Sequence, residues 1–184
     1  MEKDKYKTYV DSYEYPFARN WVVSQFAQKI QEGNYSREED IQNHFCVYFV
    51  ACDFKRGLMF IGHHKKSGLW LFNGGHMEKG ESYQAAVKRE AKEELGVDLE
   101  ANDLKPSFML SVTEIDNEPK QKCKKHFDVW FVLPIDSRKI VFDENLLKEE
   151  FNEFGWKTIS EIDELVTDEN TKGAVDQILL LEDF

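Results

Sequence analysis

Apolar residues recur at helical spacing at Phe17, Trp21, Val22, Phe26 and Ile30, and Gly33 follows as a stop. The spacing predicts an amphipathic helix over Phe17–Gln31, after a polar lead-in over residues 1–16 that ends at Pro16. Packing on its own domain is the first reading of this helix, and a homodimer contact is the second. Ser36 and Glu39 stand at capping-box spacing, which predicts a helical turn ahead of the sheet. The pattern then changes to runs and alternations. Phe45–Asp53 and Leu58–Gly62 read as strands around a Lys55–Gly57 turn, followed by a loop from His63 to Trp70. Strand Leu69–Phe72 feeds a Gly74–Gly75 turn, and a helix runs on to a stop at Gly96. Two more strands, Phe108–Ile115 and His126–Leu133, flank a hydrophilic loop, Asp116–Lys125. A last strand holds Glu153–Trp156, Ser160 caps a short helix through Leu165, and Asp168 opens a C-terminal helix ending near Leu181. Three strands, a helix, three strands and a helix predict an α/β fold, with a mixed β-sheet covered by helices on both faces.

Composition narrows this picture. A chain of 184 residues with 41% hydrophobic and 14% aromatic residues builds one core rather than a disordered tract. Residues 1–40 are expected to form a helical extension packed on a domain spanning 41–184. A formal net charge of −11 argues against general nucleic-acid binding and against an anionic membrane surface. Any anionic substrate must then be met by metal ions or by a few placed basic side chains. Cys46, Cys52 and Cys123 form no motif, and their odd number suits reduced core thiols. The N-terminus carries no apolar secretory segment, and the longest apolar run, Phe45–Cys52, is far short of a membrane span. A soluble, cytoplasmic protein is the expectation.

The chemistry concentrates between Gly74 and Val97. At about 100° per residue, Glu90, Glu93 and Glu94 share an arc of roughly 100° on one helix face. Like charges three and four residues apart repel, so a cation belongs there. The segment reads Gly75, five residues, Glu81, seven residues, Arg89-Glu90-Ala91, one residue, Glu93-Glu94, one residue, Gly96-Val97. That spacing fits every position of the Nudix box, and the chain resembles the Nudix hydrolase family over roughly residues 45 to 165. The resemblance implies a Nudix-type α/β/α sandwich and hydrolysis of a pyrophosphate bond.

By the same resemblance, Glu90, Glu93, Glu94 and the backbone carbonyl of Gly74 hold the metal, with Glu81 auxiliary, and Mg²⁺ (or Mn²⁺) is the expected ion. Hard oxygen donors of this kind suit Mg²⁺, and a metal-bound water is an effective nucleophile. Glu90 is the expected base, although a loop residue does that work in some relatives. Arg89 is placed to pair with Glu93 at i,i+4. A solvated helix face is the plain alternative for the glutamates, and a surface ion pair for Arg89.

Away from the box the signal is thin. His63, His64, Lys65 and Lys66 precede the metal turn and are candidate phosphate contacts, as is His76 within the box; a solvated loop explains the first four equally well. Glu150 or Glu153 stands near the last strand as a further ligand or base. Trp156 reads as core, and Trp70 and Phe72 as core or pocket border. Many relatives have proline where this chain has Asn73, which bears on specificity rather than on hydrolysis. The expected partner is a small phosphoanhydride: a nucleoside diphosphate linked to another moiety, or a nucleoside triphosphate. A non-catalytic nucleotide sensor is the alternative, disfavoured because every box carboxylate is present.

Overall fold

A central strand buried on both faces needs a continuous apolar run, and Phe45–Cys52 supplies it within β1 (Asn43–Asp53). The computed structural model describes residues 20–100, 102–115 and 122–181. The polar lead-in, the expected helix start at Phe17 and most of the lysine-rich loop lie outside them. One edge of β1 runs parallel to β6 (Lys125–Pro134) from Asn43 to Cys52. Its other edge is divided. β4 (Asn73–His76) pairs antiparallel with Cys46–Phe49, and β2 (Leu58–His64) pairs with Cys52–Asp53. β3 (Trp70–Leu71) and β7 (Phe151–Thr158) pair with β2, and β5 (Met109–Glu114) closes the far edge on β6. The result is a seven-stranded mixed sheet.

Alternation along β1 divides the interior into two layers. Phe45, Val47, Phe49 and Ala51 join a core built with Tyr83, Ala86, Val87, Ala91 and Leu95 of α2 (Tyr83–Leu95). Val50 and Cys52 join a second core with Trp130, Val132, Ala174, Val175 and Ile178 on the opposite face. That face is covered by α5 (Glu169–Leu179), capped by Asp168 as expected, and by Ile162 of α4 (Ile159–Leu165). Burying side chains such as Val87 and Leu95 contributes about 1.5–3 kcal/mol each, which outweighs the weak intrinsic stability of a 13-residue helix.

The N-terminal helix α1 (Asn20–Glu32) sends Val22, Phe26 and Ile30 into the first core, while Trp21 remains 47% exposed. Phe26 stacks on Phe45 at 5.6 Å and meets the edge of Phe127 at 5.5 Å. The buried Lys29 ammonium is paired with Asp40 at 2.8 Å. Ser36 and Glu39 exchange reciprocal hydrogen bonds, but they close a turn rather than open a helix.

Several expectations are corrected. His63 and His64 end strand β2 rather than start a loop, because β2 pairs with β7 along its whole length. Gly74 and Gly75 lie within β4, paired on β1, rather than in a free turn. The helix α3 (Glu144–Glu150) was not anticipated: its apolar residues are Leu146 and Leu147 alone, too few to show a period. Thr158, not Ser160, caps α4, because Thr158 and Glu161 form a reciprocal capping box.

Candidate active site

The site begins with two glycines whose missing side chains leave room for their neighbours. A Cβ on Gly74 would strike the Val47 carbonyl of β1, and its φ of +155° is one that side chains seldom adopt. A Cβ on Gly75 would overlap the Glu90 carboxylate. Strand β4 is therefore a bare shelf on which α2 lays its acidic face. Ser82 fixes the start of α2 by accepting from Ala85 N–H, and Gly96 ends it in the left-handed conformation at φ +72°. Between those caps, Glu90 falls on the buried stripe of the helix.

Arg89 organises the carboxylates. A guanidinium has five N–H donors, and each has a partner here. Nε and Nη2 donate to the two oxygens of Glu81 at 2.8 and 3.0 Å. Nη1 donates to Glu90 at 2.7 Å and to Glu93 at 3.0 Å, and Nη2 also donates to the His76 carbonyl at 2.9 Å. The Glu93 contact has the spacing expected from sequence. The bidentate clasp on Glu81 was not expected, because it depends on the 78–82 turn folding back over the helix. Glu81, anticipated as an auxiliary ligand, has both oxygens on Arg89.

Asn73 and Gly74 orient Glu94. The Asn73 amide donates to Glu94 Oε2 at 2.8 Å, and Gly74 N–H donates to the same oxygen at 3.2 Å. The residue that departs from the family pattern thus aims its amide at a metal-ligand candidate. Burial, reinforced by the Glu90 and Glu150 charges and opposed by these two hydrogen bonds, pushes the Glu94 carboxyl up to about 8. Burial also raises Glu90, against the pull of Arg89. One guanidinium leaves this group of four carboxylates far from neutral, and a divalent cation would offset more of its charge. Hard oxygen donors gathered beside two glycines fit a divalent cation of the Mg²⁺ class.

The other candidates are arranged differently. His63 Nε2 meets the Gly68 carbonyl at 2.9 Å, and its Nδ1 meets Asn152 at 3.3 Å. His64 and Lys66 approach Glu150 at 3.6 and 3.2 Å, and Lys65 donates to the Lys148 carbonyl. All four are thus tied to the α3–β7 junction rather than to the box. Glu150 itself is near enough for its charge to raise Glu94, whereas Glu153 is exposed and 3.6 Å from Lys157. Alternation along β4 carries the His76 ring to the face opposite α2, where it packs against His44 and His126. Trp156 packs on Phe60 and Phe142, Phe72 is buried in the second core, and Trp70 lies at the edge of that core.

Among the described residues, no helix is long and apolar enough to cross a membrane. The NUDIX domain model matches residues 42–178. The chain is 28% identical over 107 residues to a nucleoside triphosphatase, NudI, of Enterobacter sp. (strain 638), covering 57% of this chain and 72% of that protein. Its fold matches the E. coli dihydroneopterin triphosphate pyrophosphohydrolase at a TM-score of 0.62 and 20% identity, over 79% of this chain and 97% of the other. It also matches a MutT protein from Bacillus halodurans at a TM-score of 0.56 and 22% identity, over 75% and 83% of the two chains. With the box geometry and a family model spanning most of the sequence, the chain belongs to the Nudix family of pyrophosphohydrolases.

Proposed function

We propose that the chain is a Mg²⁺-dependent hydrolase, able to use Mn²⁺, that cleaves the pyrophosphate bond of a nucleoside triphosphate or of a nucleoside diphosphate linked to another moiety. The observation that carries this reading is the convergence of Glu90 and Glu94 on the Gly74–Gly75 shelf. Glu90, Glu93, Glu94 and the Gly74 carbonyl are the residues that would hold the metal, with Glu81 in reserve. A bound Mg²⁺ would supply charge neutralisation for the diphosphate and a lowered pKa for its water. The remaining work falls to the chain. Arg89 holds Glu81, Glu90 and Glu93 in one array, and Asn73 with Gly74 N–H fixes the rotamer of Glu94. Glu90 is the assigned base. That assignment follows the family resemblance; Glu90 is 8% exposed, and burial raises both it and Glu94. His63, His64, Lys65 and Lys66 are engaged at the α3–β7 junction, so their assignment to substrate phosphates requires those contacts to be exchanged when substrate binds.

The named activity of the NudI relative favours the nucleoside triphosphate arm. The three free cysteines are compatible with a cytoplasmic setting. The test is turnover of nucleoside triphosphates, nucleotide sugars and dinucleoside polyphosphates with Mg²⁺, with product identification. Turnover in wild type that falls by at least about 100-fold in Glu94→Gln supports the reading. Binding without turnover would favour the sensor alternative, and undiminished turnover in Glu94→Gln would remove Glu94 from the metal site.

A further inference from the structure

On the face of the sheet away from α2, three imidazoles and a thiol converge. His44 of β1 and His126 of β6 are register partners, and His76 of β4 sits opposite Cys46, the second residue after His44. Ring centroids are 4.8 Å apart for His44 and His76, and 5.0 Å apart for each with His126. Cys123, just before β6, places its sulfur 3.9 Å from His76 Nε2. One donor atom from each of the four residues lies within 4.8 Å of the others. We propose that His44, His76, His126 and Cys123 form a binding site for one divalent ion of the zinc class, separate from the carboxylate site.

Three observations carry this assignment. The donor set contains imidazole nitrogen and thiol sulfur but no carboxylate, which selects Zn²⁺ or Co²⁺ over Mg²⁺. His44 is fully buried, and its Nδ1 lies 2.8 Å from the Asp40 carbonyl. A carbonyl only accepts, so Nδ1 carries the proton and Nε2 presents its lone pair to the cluster. A ligating histidine is ordinarily oriented by a partner of this kind. Finally, His44 Nε2 and His126 Nε2 are both buried and have no hydrogen-bond partner, although buried polar atoms are nearly always satisfied. A metal ion at the centre of the cluster would satisfy both.

Around a tetrahedral Zn²⁺, nitrogen and sulfur donors stand about 3.5 Å apart, so the 3.9 Å contact between His76 and Cys123 needs only a small closure. Four protein ligands fill the coordination shell and leave no place for substrate, so the role assigned is structural. The ion would pin β4 to β1 and β6. The His76 carbonyl accepts from Arg89, so the same strand position connects this cluster to the residue that arrays the box carboxylates.

The test is titration of the chelator-treated full chain with Co²⁺ in the absence of substrate. The expected result is one tight equivalent with intense tetrahedral visible bands and a thiolate-to-cobalt charge-transfer band, both displaced by Zn²⁺. Cys123→Ser should lose the charge-transfer band and weaken binding by roughly 100-fold or more, and a Glu90→Gln/Glu94→Gln double variant should keep the spectrum. Zn²⁺ should raise the Tm of wild type but not of Cys123→Ser. A weak octahedral spectrum, or one lost in the glutamate double variant but kept in a folded Cys123→Ser, overturns the site. If Cys123→Ser does not fold, X-ray absorption on the Zn²⁺-loaded wild type decides. Nitrogen and sulfur neighbours at about 2.0–2.3 Å support the site, and an all-oxygen shell overturns it. None of these readouts depends on hydrolysis, so the site stands or falls apart from the proposed activity.

Discussion

Arg89 shows how much of the site rests on one side chain. Its five donors go to three carboxylates and a backbone carbonyl, so a lysine there would keep the charge and lose the array. Arg89→Lys is expected to lower kcat by roughly 100-fold through misplaced ligands, with an unchanged circular dichroism spectrum. Asn73→Ala removes one of the two donors fixing Glu94. It should raise the Mg²⁺ concentration needed for half-maximal activity by about 10–100-fold, measured by metal titration of the rate. At this scale the sequence was informative wherever helix geometry alone sets the neighbours, as with Arg89 and Glu93. It was silent where a neighbour comes from another element. The Asn73–Glu94 bond spans 21 residues, and the His76 ring is turned away from the box by a strand alternation that a loop reading could not supply.

Among the elements, α2 was the easiest to read, because its caps, buried stripe and charged face are all local. Ser82→Ala leaves Ala85 N–H without its acceptor and should cost about 1 kcal/mol in chemical denaturation. Gly96→Ala forces an alanine to φ +72°, with its Cβ about 3.0 Å from that of Asp143, and should cost at least about 1 kcal/mol. The short helices were harder. Helix α3 is seven residues long and is held by Asp143 accepting from Asn145 N–H and by the burial of Leu147. Its position matters, since Glu150 at its end brings charge to bear on Glu94 and gathers His64 and Lys66. Nothing in a two-leucine pattern announces that.

Across the whole molecule, the layered architecture was legible because a central strand with an unbroken apolar run at Phe45–Cys52 and amphipathic helices leave few other arrangements. The pairings that close it at long range were not. Asp53, at the end of β1, accepts from Ser137 Oγ at 2.6 Å, from Ser137 N–H at 2.8 Å and from Arg56 at 2.5 Å. Burial would raise this carboxyl, but those donors together hold it at about 2. A folded-state pKa below the unfolded value contributes stability that is fully present above about pH 4 and is lost as pH falls through about 2. Asp53→Asn is therefore expected to lower stability by about 1–3 kcal/mol at neutral pH, with a difference from wild type that shrinks between about pH 4 and pH 2 in urea denaturation. Metal binding by the α2 carboxylates beside β4 for pyrophosphate hydrolysis can be measured directly. Wild type and Glu94→Gln are compared for Mg²⁺-dependent turnover of nucleoside triphosphates, with phosphate and pyrophosphate products separated. Mg²⁺-dependent cleavage is expected in wild type, with a loss of at least about 100-fold in the variant. Equal turnover in both proteins, or turnover indifferent to Mg²⁺ and Mn²⁺, would contradict the metal assignment.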